Sequence, residues 1–129
     1  VVYADIDNLK HINDEYGHAA GDAVLTAVSQ VLRLALREQD SVARWGGEEF
    51  LILMPNATLE MASTVAERLR QQIAAIEVPF EGKQIKVSMT FGVSCHHDDE
   101  SIEAPVSRAD TALYKRKLSG RNQVVAEVA

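Results

Sequence analysis

The segment Arg44-Trp45-Gly46-Gly47-Glu48-Glu49-Phe50 sets two glycines and two carboxylates between two β-like apolar runs, Val42-Ala43 and Phe50-Leu51-Ile52-Leu53-Met54. It reads as a hairpin with charge at its tip, and Gly-Gly suits the tightest two-residue turns, whose central residues both need positive φ. A second acidic pair, Asp5 and Asp7, flanks Ile6 at the carboxyl end of the first apolar run. Side chains two apart on a strand share a face. If that strand lies beside the hairpin, Asp5 meets Glu48 across the sheet edge, and Asp5, Asp7 and Glu48 can converge on one cation. Carboxylate oxygens joined by a backbone carbonyl such as that of Ile6 are hard donors that suit Mg²⁺, an ion that commonly bridges carboxylates to substrate phosphates. The plainer alternatives are solvated loop acids at the hairpin and a helix cap at Asp-x-Asp. No Gly-x-x-x-x-Gly-Lys-Ser/Thr run occurs, so a P-loop is excluded as the phosphate cradle.

Cations that would face a phosphate lie elsewhere. Lys10 sits one turn into the first helix, near the acids, while Lys115, Arg116 and Lys117 crowd the end of the last helix and Arg121 follows Gly120. Positive charge at a helix C-terminus also simply complements the helix dipole. Asn13 offers a donor and an acceptor, and Asp22 accepts only, which together suit the edge of a purine. Guanine presents N1–H and N2–H donors to a carboxylate; adenine has no matching pair. Asp22 is equally placed to cap the second helix. His18 falls in the turn between the two helices, and His96-His97 has no spacing that suggests zinc, so it reads as surface.

Composition limits what these groups can serve. With 129 residues, 47% hydrophobic and 25% charged, the chain is expected to be one globular domain. A net charge of -6 and a pI near 5.1 disfavour general nucleic-acid binding, which depends on neutralising many phosphates. A small phosphorylated ligand needs only locally placed cations or metal ions. The single cysteine, Cys95, fits a reducing compartment, and a cytosolic domain is expected. No apolar stretch approaches a membrane span, and no signal-peptide pattern is present. The chain opens without Met in what reads as mid-strand, so a piece of a longer protein is expected, with any membrane anchor or sensor outside it.

Strands and helices alternate along the chain. Val1 to Ile6 is a strand, and a short helix from about Leu9 to Tyr16 follows, with Asp7 or Asn8 as its cap and Gly17 as its stop. Val24, Leu25, Val28, Val31, Leu32 and Ala35 recur at helical spacing. After the hairpin, Thr58 caps a helix whose buried face is Ala62, Val65, Ala66, Leu69, Ile73 and Ile76; Glu81-Gly82-Lys83 then makes a second tight turn. Val87, Met89, Phe91, Val93 and Cys95 alternate with polar or small residues, which predicts a half-buried strand. A polar loop at His96 to Glu100, a helix through Val106, Ala109, Ala112 and Leu113 ending near Gly120, and a strand at Gln123 to Val125 complete the order. The class is α+β: a βαββαβ, ferredoxin-like core whose central, largely antiparallel sheet is covered by helices.

Asp5-Ile6-Asp7-Asn8-Leu9-Lys10, Asn13-Asp14, Gly17-His18, Gly21-Asp22, the Gly46-Gly47-Glu48-Glu49-Phe50 hairpin, Ser88 through Gly92, Ala109-Asp110-x-Ala112-Leu113-Tyr114 and Gly120-Arg121-Asn122 together resemble the GGDEF family of diguanylate cyclases. The resemblance runs over essentially the whole chain and implies a single GGDEF catalytic domain, residues 1–129, on a fold related to the nucleotide cyclases. It implies condensation of two GTP molecules into cyclic di-GMP with release of pyrophosphate. By position, Asp5, the carbonyl of Ile6 and Glu48 would hold Mg²⁺, with Mn²⁺ as the alternative ion and Glu49 as an additional ligand. Glu48 would be the base for the 3′-hydroxyl, and Lys10 would stabilise the transition state. Asn13 and Asp22 would read guanine, His18 would contact the nucleotide, and Lys117 with Arg121 would bind the triphosphate. Each domain offers one nucleotide site, so a homodimer is the implied catalyst. A sensory or regulatory domain would be linked to this chain.

Arg37-Glu38-Gln39-Asp40 has the Arg-x-x-Asp form and lies just ahead of Gly46, which matches the family's inhibitory product site. An arginine fork can hold guanine or phosphate by charge-assisted bonds. Arg68 is placed like the accessory arginine of that site; an i,i+3 ion pair at a helix end is the plain alternative. Two departures stand out: Leu9 replaces the usual Phe, and the family's upstream Asp-x-Leu-Thr segment is absent. The competing functional class is a catalytically weak or silent module that binds GTP or cyclic di-GMP.

Overall fold

The structure, a computed structural model, describes residues 1–127, and the backbone alone at residues 115–119. In chain order the elements are β1 (Val2–Ile6), α1 (Leu9–Tyr16), α2 (His18–Ala35), β2 (Ser41–Arg44), β3 (Glu49–Leu53), α3 (Leu59–Ala75), β4 (Glu77–Phe80), β5 (Lys83–Lys86), β6 (Met89–Val93), α4 (Glu103–Ser119) and β7 (Val124–Ala126). The main sheet runs β2-β3-β1-β6-β7. Each of its first four strands is antiparallel to its neighbours among them, so β1, α1/α2, β2, β3, α3 and β6 form the expected βαββαβ core. β7 adds to β6 in parallel, and β4 with β5 forms a separate two-stranded sheet between α3 and β6.

Apolar periodicity assigns the layers. Val24, Leu25, Val28 and Leu32 of α2 and Ala62, Ala66, Leu69 and Ile73 of α3 are buried against Val2, Ala4, Ile6, Phe50, Ile52, Met89, Phe91 and Val93. The opposite face carries Tyr3 and Leu51, and there Ala109 and Leu113 of α4 pack. Thr58 caps α3 by accepting from the Met61 N–H at 3.1 Å. Glu81 and Gly82 both have positive φ, 49° and 78°, which makes the β4–β5 connection a tight hairpin of the expected kind.

Three local expectations are corrected. β6 is buried along its whole length rather than half-buried, because α4 covers the face that carries Thr90 and Gly92. A Cβ at Gly92 would stand 2.1 Å from the Ala109 carbonyl oxygen, so only glycine lets helix and strand come this close. In the β2–β3 hairpin neither Gly46 nor Gly47 has positive φ. The Trp45 N–H donates to the Glu49 carbonyl at 2.8 Å, leaving residues 46–48 as a wider loop. Finally, α2 begins at His18, so His18 opens a helix and Asp22 lies in its second turn, too far in to cap it. Gly17, at φ 96°, both closes α1 and opens α2.

Candidate active site

The signature acids meet at one end of the two central strands. In the β1–β3 ladder Asp5 stands opposite Glu49, not Glu48. Glu48 is one step further on, where its carbonyl accepts the Ile6 N–H at 3.0 Å. Asp5, Ile6, Glu48 and Glu49 are therefore neighbours across one ladder, with Asp5 buried and both glutamates half-buried. The Tyr3 hydroxyl donates to Glu49 Oε2 at 2.6 Å from the same sheet face. Burial and that hydrogen bond raise the Tyr3 hydroxyl well above its ordinary pKa, so it stays a protonated donor. Gly46 lies against the same carboxylate: a Cβ there would be 3.2 Å from Glu49 Oε2.

Asp7 does not join this group. It is turned inward, where Ser88 Oγ and Thr90 Oγ1 each donate to it at 2.7 Å and the Asn122 N–H donates at 2.9 Å. These partners saturate its oxygens and tie the end of β1 to β6 and to the loop after α4. Among the described residues no three His, Cys, Asp or Glu side chains are gathered into a metal cage. The expected convergence of Asp5, Asp7 and Glu48 is thus corrected: Asp7 is a strut, and Asp5, Glu48 and Glu49 are neighbours along the ladder whose side chains are not drawn into one cage.

Two clefts adjoin the acids. One, of about 590 Å³, is lined by Leu9, Lys10, Asn13, Asp14, His18, Asp22, Leu25, Arg44 and residues 46–49. The other, of about 360 Å³, is lined by residues 6–11 with Asp14, Glu48 and Arg121. Leu9, Lys10, Asp14 and Glu48 belong to both and form the wall between them. The predicted base readers, Asn13, His18 and Asp22, share the larger cleft; the predicted phosphate cation Arg121 shares the smaller with the turn that follows β1. Lys117 lies outside the residues whose side chains are described.

Local chemistry explains these positions. Gly21 faces Asn13 so closely that a Cβ on it would fall 1.8 Å from Asn13 Oδ1. That oxygen is buried without a hydrogen-bond partner among the described residues. Arg44 donates to the carbonyls of Gly46 and Gly47, at 3.3 and 2.9 Å, and so shapes the hairpin loop that carries the acids. Sequence reasoning passed over Arg44 and Tyr3. Arg44 lies two residues before the glycine pair, a signal that was available; Tyr3 has none, since its partner is 46 residues away.

Arg37 and Asp40 form a closed clip elsewhere, between α2 and β2. The guanidinium meets the carboxylate at 2.8 Å, the Arg37 N–H donates to Asp40 Oδ2, and Arg37 Nη2 also reaches the Pro55 carbonyl. The hydrogen bond from Arg37 holds the Asp40 carboxyl below its ordinary pKa. Arg68 reaches the same corner from α3, donating to the Ala35 carbonyl at 3.1 Å. The three predicted residues are therefore brought together, with Arg37 and Asp40 paired to each other.

Among the described residues no helix is long and apolar enough to cross a membrane. A family model described as "Diguanylate cyclase, GGDEF domain" matches residues 1–123. Diguanylate cyclase A of Treponema denticola is 44% identical over 125 residues, which are 96% of this chain and 34% of that protein. The active GGEEF domain of a diguanylate cyclase from Vibrio cholerae superposes with a TM-score of 0.90 at 36% identity, covering 99% of this chain and 81% of that one. The GGDEF domain of DgcB from Caulobacter crescentus, in complex with c-di-GMP, gives 0.92 at 30% identity over 97% of this chain and 75% of that one. The chain spans about a third of the T. denticola cyclase. In backbone path and in the order of its motifs alike, it belongs to the GGDEF-domain family, the diguanylate cyclases.

Proposed function

We propose that this chain is the cyclase domain of a longer signalling protein and condenses two GTP molecules into cyclic di-GMP and pyrophosphate. The observation that carries the reading is the pair of adjoining clefts. Base-reading groups line one, a cation and the turn after β1 line the other, and Glu48 and Lys10 stand in the shared wall. A nucleoside triphosphate laid across that wall has its guanine beside Asn13, His18 and Asp22 and its phosphates beside Arg121, with Lys117 as a further cation. Asn13 Oδ1, without a hydrogen-bond partner among the described residues, is an acceptor that a guanine N–H would satisfy after a rotation of the amide.

Asp5, Glu48 and Glu49 are hard oxygen donors on neighbouring ladder positions, which fits Mg²⁺, or Mn²⁺ in its place, with the Ile6 carbonyl as a fourth donor. Bound there, the metal would neutralise charge on the α-phosphate and polarise it toward attack. Glu48 takes the proton of the 3′-hydroxyl, while Lys10 stabilises charge on the phosphates. One copy holds one GTP, so two copies face each other: each 3′-oxygen bonds to the other's α-phosphorus as pyrophosphate leaves in line. Product returning to Arg37, Asp40 and Arg68 inhibits the enzyme.

The test is GTP turnover with Mg²⁺ by the full-length protein beside Glu48→Ala, followed by chromatography and pyrophosphate release. Cyclic di-GMP from the wild type and a loss of roughly a hundredfold or more in the variant are expected. A wild type that binds cyclic di-GMP without making it would overturn the catalytic reading in favour of a silent binding module.

A further inference from the structure

Beneath the signature acids lies a contact between Tyr3 and Glu49 that the proposed chemistry does not use. Tyr3 is 6% exposed, in the middle of β1, packed with Leu51, Ala109 and Leu113 in the layer between sheet and α4. A tyrosine in an otherwise apolar layer needs a partner for its hydroxyl, because an unmet buried polar group costs free energy. The partner here is Glu49 Oε2, at 2.6 Å. Glu49 in turn stands directly across the ladder from Asp5, and like charges in opposed positions repel. Asp110 of α4 adds to the negative field around the hydroxyl.

We propose that Tyr3 is a positioning residue that fixes the Glu49 carboxylate for cation binding. Its hydroxyl commits one oxygen of Glu49 and one rotamer of its side chain, leaving the other oxygen for the cleft that Glu49 lines. Groups that hydrogen-bond to a metal's ligands tune affinity in this way. The apolar packing of the Tyr3 ring fixes its direction, so the sheet core, rather than the hairpin loop, sets where Glu49 points.

This inference rests on the cyclase reading, and the experiment separates the two. Tyr3→Phe keeps the ring and removes only the donor. Mn²⁺ binding to the full-length protein is followed by electron paramagnetic resonance with a non-hydrolysable GTP analogue present, and the Mg²⁺ dependence of turnover is measured in parallel. We expect Mn²⁺ affinity to fall about tenfold and the half-saturating Mg²⁺ concentration to rise by a similar factor. kcat at saturating Mg²⁺ and the GTP affinity measured without metal should be little changed, and thermal melting confirms that the variant folds. Unaltered Mn²⁺ affinity in a folded Tyr3→Phe overturns the positioning role while leaving the cyclase reading intact. A wild type that neither binds Mn²⁺ nor turns over GTP overturns both.

Discussion

The backbone N–H of Asn122 donates to the carboxylate of Asp7 at 2.9 Å, joining the end of the first strand to a loop 115 residues away. Asn122 also donates to Thr90 Oγ1 and accepts, through its side chain, from Arg70 of α3. Arg121, the cation at the phosphate end of the smaller cleft, is the residue just before it. The placement of Arg121 is therefore inherited from Asp7. Asp7→Asn leaves one of three donors facing an amide N–H₂ and should lower stability by about 2 kcal/mol in urea unfolding. It should also raise KM for GTP more than it lowers kcat.

Gly21→Ala tests the base-reading end of the larger cleft. Alanine favours a helix by about 1 kcal/mol over glycine, so stability should hold or rise slightly. The new Cβ would meet Asn13 Oδ1 at 1.8 Å, and the asparagine side chain must turn away. GTP binding, followed by calorimetry, should weaken by roughly tenfold or more while the melting temperature stays near that of the wild type.

Gly92→Ala makes the opposite prediction. There the new Cβ would stand 2.1 Å from the Ala109 carbonyl oxygen and 2.8 Å from the Leu113 nitrogen, both backbone atoms that cannot rotate aside. α4 must lift from the sheet. A loss of about 3 kcal/mol or more is expected in thermal or urea unfolding.

Acid sensitivity has a local source near the far end of the sheet. Arg108 donates to both oxygens of Glu100 and to Glu127, and its hydrogen bonds hold the Glu100 carboxyl far below the ordinary 4.5, at about 2. A depressed carboxyl pKa contributes stability that is fully present above about pH 4.5 and is lost as pH falls toward 2. Stability measured against pH should drop through that window in the wild type. Arg108→Gln should be less stable at pH 7 and show a shallower slope between pH 4.5 and 2.

At the Arg37–Asp40 clip, Arg37→Ala should leave GTP turnover near the wild-type rate but relieve inhibition by added cyclic di-GMP. The same affinity for the dinucleotide in variant and wild type would remove the proposed role of this corner.

Those features that rest on neighbours in sequence could be read before folding was considered. The span of α1, the Thr58 cap, the Glu81-Gly82 turn and the apolar faces of α2 and α3 all follow from spacing and from residues within one turn of each other. What escaped depends on distant partners. Asp7 looked like a ligand because Ser88, Thr90 and Asn122, which occupy its oxygens, lie 81 to 115 residues away. Thr90, Gly92 and Ser94 looked like a solvent face, yet Thr90 bonds Asp7, Gly92 admits α4 and Ser94 Oγ donates to the Pro105 carbonyl. Asp22 looked like a cap because no local rule shows that Gly17 alone serves both helices. The hairpin glycines were read for positive φ, whereas Gly46 serves by letting Glu49 fold over it.

Because Asp5 and Glu49 share a rung of the β1–β3 ladder, the fold tolerates altered side chains there far better than altered length. Adding or deleting one residue within β1 would shift that strand by a single step and exchange its two faces. Ala4 and Ile6 would then leave the aliphatic side chains of α2 and α3, and Asp5 and Tyr3 would be driven among them. Length in this stretch is thus as much a part of the chemistry as the acids themselves.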